Sequence, residues 1–177
     1  MAEINVKNEV AFEREKVFWA FRDKLQDLLS YLPDVEDIKV LEREEIDENT
    51  IKLLNLWQAN YDQVPKAARG FIKPEMLKWK DHATWRQDEW ICEWVIEPDF
   101  LSDAISCQGK NSFIDKGDGK TEVIISGNLE IDVKKIKGVP KLGSGKIGKI
   151  VEDFAVPMIS SNLGNVVKGL ESYLQSE

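Results

Sequence analysis

The stretch Thr121-Glu122-Val123-Ile124-Ile125-Ser126-Gly127-Asn128-Leu129-Glu130-Ile131-Asp132-Val133 decides the fold. Val123, Ile125, Leu129, Ile131 and Val133 alternate with Glu122, Ser126, Glu130 and Asp132. A period of two separates one apolar face from one polar face, the pattern of an antiparallel strand buried on one side. Just upstream, Lys116-Gly117-Asp118-Gly119-Lys120 supplies two glycines free to adopt positive φ, so this strand closes a hairpin with its predecessor. Further strand-like segments lie at Asp37–Ile46, Thr50–Ala59, Lys78–Gln87, Glu89–Glu97 and Ala104–Ile114, with a first strand through Ile4, Val6 and Val10. No crossover helix separates them, so a parallel sheet is excluded and an antiparallel one expected.

Helical spacing flanks this run. Val17, Phe21, Leu25, Leu28, Leu29 and Leu32 form an apolar stripe that Pro33 terminates, as one helix or two short ones. The segment Tyr61–Met76 interrupts the strands, with a short helix predicted from Pro65 to near Gly70. From Ile147 to Leu174 a long apolar face predicts one C-terminal helix, with a kink or break near residues 153–157 caused by Pro157. The expected architecture is α+β: a curved antiparallel sheet of six or seven strands around a long C-terminal helix, with two short helices after the first strand. At 177 residues, 42% hydrophobic and 32% charged, the chain suits a single globular domain over 1–177.

A net charge of −8 argues against a general nucleic-acid binder. No apolar run is long enough to span a membrane, and the N-terminal residues lack a basic region followed by an apolar one, so a cytoplasmic location is expected. Cys92 and Cys107 lie in strand-like runs outside any CxxC or Cys/His cluster and read as two buried reduced thiols, with one disulfide as the alternative.

The order of elements and several phrases resemble the helix-grip family, also called START or Bet v 1-like. The phrases are Phe12-Glu13-Arg14-Glu15-Lys16-Val17-Phe18, Leu32-Pro33-Asp34-Val35 running into Ile38-Lys39-Val40-Leu41-Glu42-Arg43, Gly127-Asn128-Leu129 and the amphipathic C-terminal helix. The resemblance spans nearly the whole chain and implies a fold whose members mostly bind hydrophobic molecules such as lipids, quinones or polyketides, while a minority are cyclases, dehydratases or hydrolases. Fold alone does not choose among these.

Six tryptophans are the most informative side chains. Strand parity places Trp57 with Ile51, Leu53 and Asn55, Trp79 and Trp85 with Asp81 and Ala83, and Trp94 with Cys92 and Ile96. These rings either line a cavity for a lipophile or fill the core between sheet and helix. With Phe71, Phe113, Phe154 and Met158 they form the candidate ligand-binding set, to which Asn55 and Asp81 would add a polar anchor or merely reach water. His82 points away from Asp81 by parity, and Glu93 and Glu97 are expected to face solvent.

Two phosphate-loop look-alikes fail on context. Gly143-Ser144-Gly145-Lys146-Ile147-Gly148 fits GxGxxG without a following βαβ half, and reading on to Lys149 as GxxxxGK leaves Ile150 where Ser or Thr is needed. No cofactor or metal motif remains. The segment from Lys134 to Lys149 nevertheless carries six lysines (134, 135, 137, 141, 146 and 149) and no acid, a surplus that would suit anionic membrane or would offset the net −6 of residues 34–48.

Three functions follow as expectations. The first is a non-catalytic carrier of a hydrophobic small molecule, gated by residues 61–76 or 134–148. The second is a cyclase- or dehydratase-type enzyme using Asp81. The third is an interaction module with a filled core and a lysine patch.

Overall fold

A computed structural model shows seven strands in one antiparallel sheet curved around a long C-terminal helix. The structure describes residues 1–64, 66, 69–70, 73–100, 102–135 and 144–177, with residues 133 and 144–158 by their backbone alone. The strands are β1 (Ala2–Val10), β2 (Val35–Glu45), β3 (Thr50–Ala59), β4 (Lys78–Arg86), β5 (Ile91–Pro98), β6 (Ile105–Gly117) and β7 (Lys120–Ile131). They run in the order β1-β7-β6-β5-β4-β3-β2, so β2 to β7 form a meander and β1 closes onto β7.

Each hairpin follows from local chemistry. Gly117, Asp118 and Gly119 all take positive φ (77°, 54° and 69°) between β6 and β7, which glycine permits without cost and Asp tolerates. The β4–β5 turn differs from the sequence expectation. Strand β5 begins at Ile91 rather than Glu89, because Trp90 sits at φ 56° in the turn. That strained position is held by the Arg14 guanidinium 4.4 Å over the Trp90 ring and by Phe18 edge-on to it at 5.3 Å.

Helix α1 (Arg14–Asp23) and a 3-10 turn (Asp27–Tyr31) resolve the first apolar stripe into two short pieces. The bond from Lys24 N–H to the Ala20 carbonyl closes α1, and the chain bends before Leu28 enters the core. Helix α2 (Ser144–Ser176) is continuous through Pro157, so of the kink or break expected there the break is absent. Proline forfeits its own bond to the carbonyl four residues back and crowds that carbonyl, yet the chain stays helical on both sides of it. The described side chains of α2 bury Val166, Val167, Leu170 and Leu174 against β1, β7, α1 and the 3-10 turn. Three polar ties hold the helix in place. Asn165 Nδ2 donates to Asp34 at 2.7 Å, Ala11 N–H to Glu171 at 3.1 Å and Tyr31 to Ser176 at 2.8 Å. The short helix expected at Pro65–Gly70 lies largely outside the described residues; Tyr61–Gln63 and Pro74–Leu77 on either side are 3-10 turns.

The concave face of the sheet is apolar because its pleat takes every second residue. Leu129, Cys107 and Ile96 continue across the strands to Asp81 and Asn55 in one row. In the next row Gly127, Gly109, Trp94, Ala83 and Leu53 lie side by side. Trp94 lies across both glycines, and its Nε1 donates to the buried Asn111 Oδ1 at 2.8 Å. A Cβ on Gly127 would stand 2.6 Å from the Gln108 carbonyl and 2.9 Å from Trp94; one on Gly109 would collide with the Ser126 carbonyl oxygen and the Trp94 ring.

Cys92 pairs with Asn111, four residues along β6 from Cys107, which puts the two cysteines about 13 Å apart, far beyond disulfide reach. Both are free and buried, and loss of solvation raises both thiol pKa values, that of Cys107 to about 11.

Two outcomes are expected. Native protein gives no reaction with an aromatic disulfide reagent near neutral pH, while the unfolded chain titrates two thiols; fast labelling of the native state would contradict the buried placement. Gly109→Ala and Gly127→Ala each lower stability in urea by about 1–3 kcal/mol, and Gly109→Ala is the worse because a carbonyl oxygen and the Trp94 ring both stand closer to its added carbon than their counterparts do at Gly127.

Candidate functional site

The aromatic side chains divide into two groups on the concave face. Trp85 and Phe113 join Phe18 and Phe21 beneath α1, with Phe18 edge-on to both Trp85 and Phe113 at 5.1 Å. Trp57 and Trp79, opposite each other on β3 and β4, stack with centroids 6.0 Å apart and planes 10° from parallel. Trp57 is buried and Trp79 keeps accessible surface. Trp94 lies between the groups, on its glycine floor. Of the ten residues predicted from sequence, the structure brings Asn55, Asp81, Trp57 and Trp79 together. It places Trp85 and Phe113 in the packed cluster. Phe71 and the side chains of Phe154 and Met158 lie outside the described residues.

Asn55 and Asp81 are register partners, and Asn55 Nδ2 donates to Asp81 Oδ2 at 3.3 Å. Asn55 is 2% exposed, and its Oδ1 has no partner. The Trp57 indole N–H faces Asp81 and favours its charged form, but does not reach hydrogen-bond geometry. Asp81 lies deep in the fold and is half-buried. Loss of solvation pushes its carboxyl up to about 6, against the opposing help of Asn55, Trp57 and His82. Its neighbours on the same face, Ala83 and Ile96, are apolar. This is one ionisable group in an apolar setting, able to accept a hydrogen bond when charged or donate one when neutral.

The opposite face carries different chemistry. His82 Nε2 meets Glu97 at 2.9 Å, Lys80 lies 3.9 Å from Glu97, and Arg86 pairs with Glu93, all solvent-facing as parity predicts. An open groove of about 550 Å³ crosses this face over Gly109 and Gly127, walled by polar side chains including Asn5, Thr84, Gln108 and Asn128. Nothing in the residue pattern marks the groove, because its walls read as an ordinary wet face. It is open to solvent and stands apart from the Asn55–Asp81 pair. Asn111, which holds Trp94, was likewise not foreseen, although a polar residue on an otherwise apolar parity was its signal. Lys134 and Lys135 are exposed at the end of β7, with Lys135 4.0 Å from Asp132; Lys137 and Lys141 lie outside the described residues. Among the described residues no group of His, Cys, Asp and Glu could hold a metal, and no helix is long and apolar enough to cross a membrane.

The raised carboxyl pKa predicts how stability varies with pH. The unfolded chain releases the Asp81 proton near the ordinary 3.8 and the folded chain near 6. Between those values the folded state holds the extra proton, so the contribution of Asp81 to stability falls as pH rises through that window and is level above it. Asp81→Asn mimics the neutral form. It is therefore expected to be the more stable protein at neutral pH, by on the order of 2 kcal/mol, with the difference closing towards pH 4. Urea denaturation across pH checks this; a variant less stable than wild type at every pH would contradict it.

No protein-family model and no curated protein matches the chain. Solved structures do. The protein TTHA0849 of Thermus thermophilus superposes with a TM-score of 0.71 and 19% identity, over 99% of this chain and 98% of that one. The Zhui aromatase/cyclase of a Streptomyces species gives 0.64 and 12%, over 97% and 93%. Norcoclaurine synthase of Thalictrum flavum, in complex with dopamine and hydroxybenzaldehyde, gives 0.65 and 12%, over 99% and 87%. Such identities speak for architecture alone, and the architecture is common to proteins of different activity. Together with the seven-stranded sheet and its gripped C-terminal helix, they establish that this chain has the helix-grip fold of START and Bet v 1-like proteins.

Proposed function

We propose that the chain binds a hydrophobic small molecule between the concave face of its sheet and α2, and carries it without chemical change. One observation supports this reading above others: a deep carboxylate that keeps accessible surface on an apolar sheet face, tied to a buried amide whose oxygen is unpaired. A core that served stability alone would gain by replacing that pair with aliphatic side chains, since burying polar groups costs free energy unless their bonds are complete. A ligand with an apolar body and one polar group supplies the missing partner. Its burial would contribute about 25 cal/mol per Å² of apolar surface removed from water. Two of the similar structures, an aromatase/cyclase and a synthase holding dopamine and hydroxybenzaldehyde, are consistent with ring-bearing ligands in this fold. Release at an anionic membrane through Lys134, Lys135, Lys137 and Lys141 belongs to the same proposal.

The carboxyl pKa of about 6 favours one second reading, in which Asp81 moves a proton in a cyclase- or dehydratase-type reaction. A bound molecule recovered chemically unchanged after prolonged incubation speaks for carriage; its conversion by wild type and not by Asp81→Asn speaks for catalysis.

Native mass spectrometry of freshly purified protein, followed by organic extraction, tests the proposal. A lipophilic companion at up to one per chain is expected. Protein that is empty, and whose tryptophan fluorescence is unmoved by lipids, quinones and polycyclic aromatics, would overturn it.

A further inference from the structure

The polar groups beside the tryptophan stack define what the ligand's own polar group must be. We infer that the site selects a flat aromatic ring bearing a neutral hydroxyl, with the ring continuing the Trp57–Trp79 stack and the hydroxyl donating to Asp81. This inference rests on the ligand-binding reading above and deepens it.

The argument is one of complementary valences. The carboxylate of the half-buried Asp81 is an acceptor that Asn55 Nδ2 engages at one oxygen, and the unpaired Asn55 Oδ1 beside it is a second. A quinone or ketone oxygen offers only lone pairs and would oppose both. The unpaired Trp57 Nε1–H is a donor turned towards the same carboxylate. An ammonium group offers only donors, and would leave that indole unmatched while adding a second buried charge to desolvate. A hydroxyl does both: its hydrogen goes to the carboxylate, and its lone pairs face the indole N–H. Asp81 is also the only acid on the concave face of β3, β4 and β5, which limits the site to one such group.

The shape of the ring follows from the stack. Trp57 and Trp79 lie 10° from parallel, and Trp79 is half-buried with Pro98 as its neighbour on β5, so a planar ring suits the pile better than a branched chain. Trp79 and Asp81 stand two residues apart on one face of β4, about 7 Å. That is roughly the reach from the outer ring of a fused two-ring phenol to its hydroxyl.

Equilibrium dialysis of the full chain with 2-naphthol and with 2-methylnaphthalene, at about pH 8 where Asp81 is ionised, separates the possibilities. Wild type is expected to hold 2-naphthol about tenfold more tightly than its methyl isostere, the value of one hydrogen bond to a charged acceptor. In Asp81→Asn that preference should largely vanish while 2-methylnaphthalene still binds. Asn55→Val, with folding verified by circular dichroism, should also narrow it. Equal binding of the two probes by wild type would overturn the hydroxyl inference and leave the ligand-binding reading standing. A preference unchanged in both variants would overturn the assignment to this pair. Binding of neither probe would overturn the inference together with the reading beneath it.

Discussion

Trp94 packs over Gly109 and Gly127, and the concave face is organised around that contact. Two neighbouring strands meet there with no side chain of their own between them, so the indole of the third strand covers their backbone. Asn111 fixes its orientation by accepting the indole N–H. On one side of this floor the aromatic rings of Phe18, Phe21, Trp85 and Phe113 are packed solid beneath α1. On the other, the row containing Asn55 and Asp81 leads to the Trp57–Trp79 stack. A methyl group at either glycine would lift the tryptophan and disturb both sides at once.

The polar pair is thus an exception in a face built for burial. Asn55 and Asp81 satisfy one another in part, and the charged form of Asp81 is held at a cost that its neighbours do not remove. Costs of this kind are retained where they serve recognition or proton transfer. The polar groove on the outer face and its ion pairs lack that tension, since each member there is wet and its charge is met by solvent or a partner.

Much of the architecture was legible in the sequence because period-two alternation and glycine turns are local signals. Val123, Ile125 and Leu129 are all buried as their alternation requires, and Gly117 and Gly119 adopt the positive φ expected of the turn. Parity also placed Asn55 and Asp81 on one face and His82 on the other. Parity fixes a face, however, and not which cross-strand neighbours a side chain meets. Trp85 and Trp79 share a face six residues apart, and only the register with β3, together with the position of α1, shows that one joins a packed cluster and the other a stack. Local reading also left open whether Pro157 kinks or breaks the last helix, because that depends on how well the flanking turns of a 33-residue helix hold it together.

The most direct test is where a bound lipophile sits. Methyl-labelled protein titrated with a polycyclic aromatic should show ring-current shifts at Leu53, Ile96 and Ile38, whose side chains border the Asn55–Asp81 row and the tryptophan stack. The Val95 methyls, exposed on the outer face beside the polar groove, should stay still. Shifts confined to Val95 and its neighbours would place the ligand on the wrong side of the sheet and contradict the account.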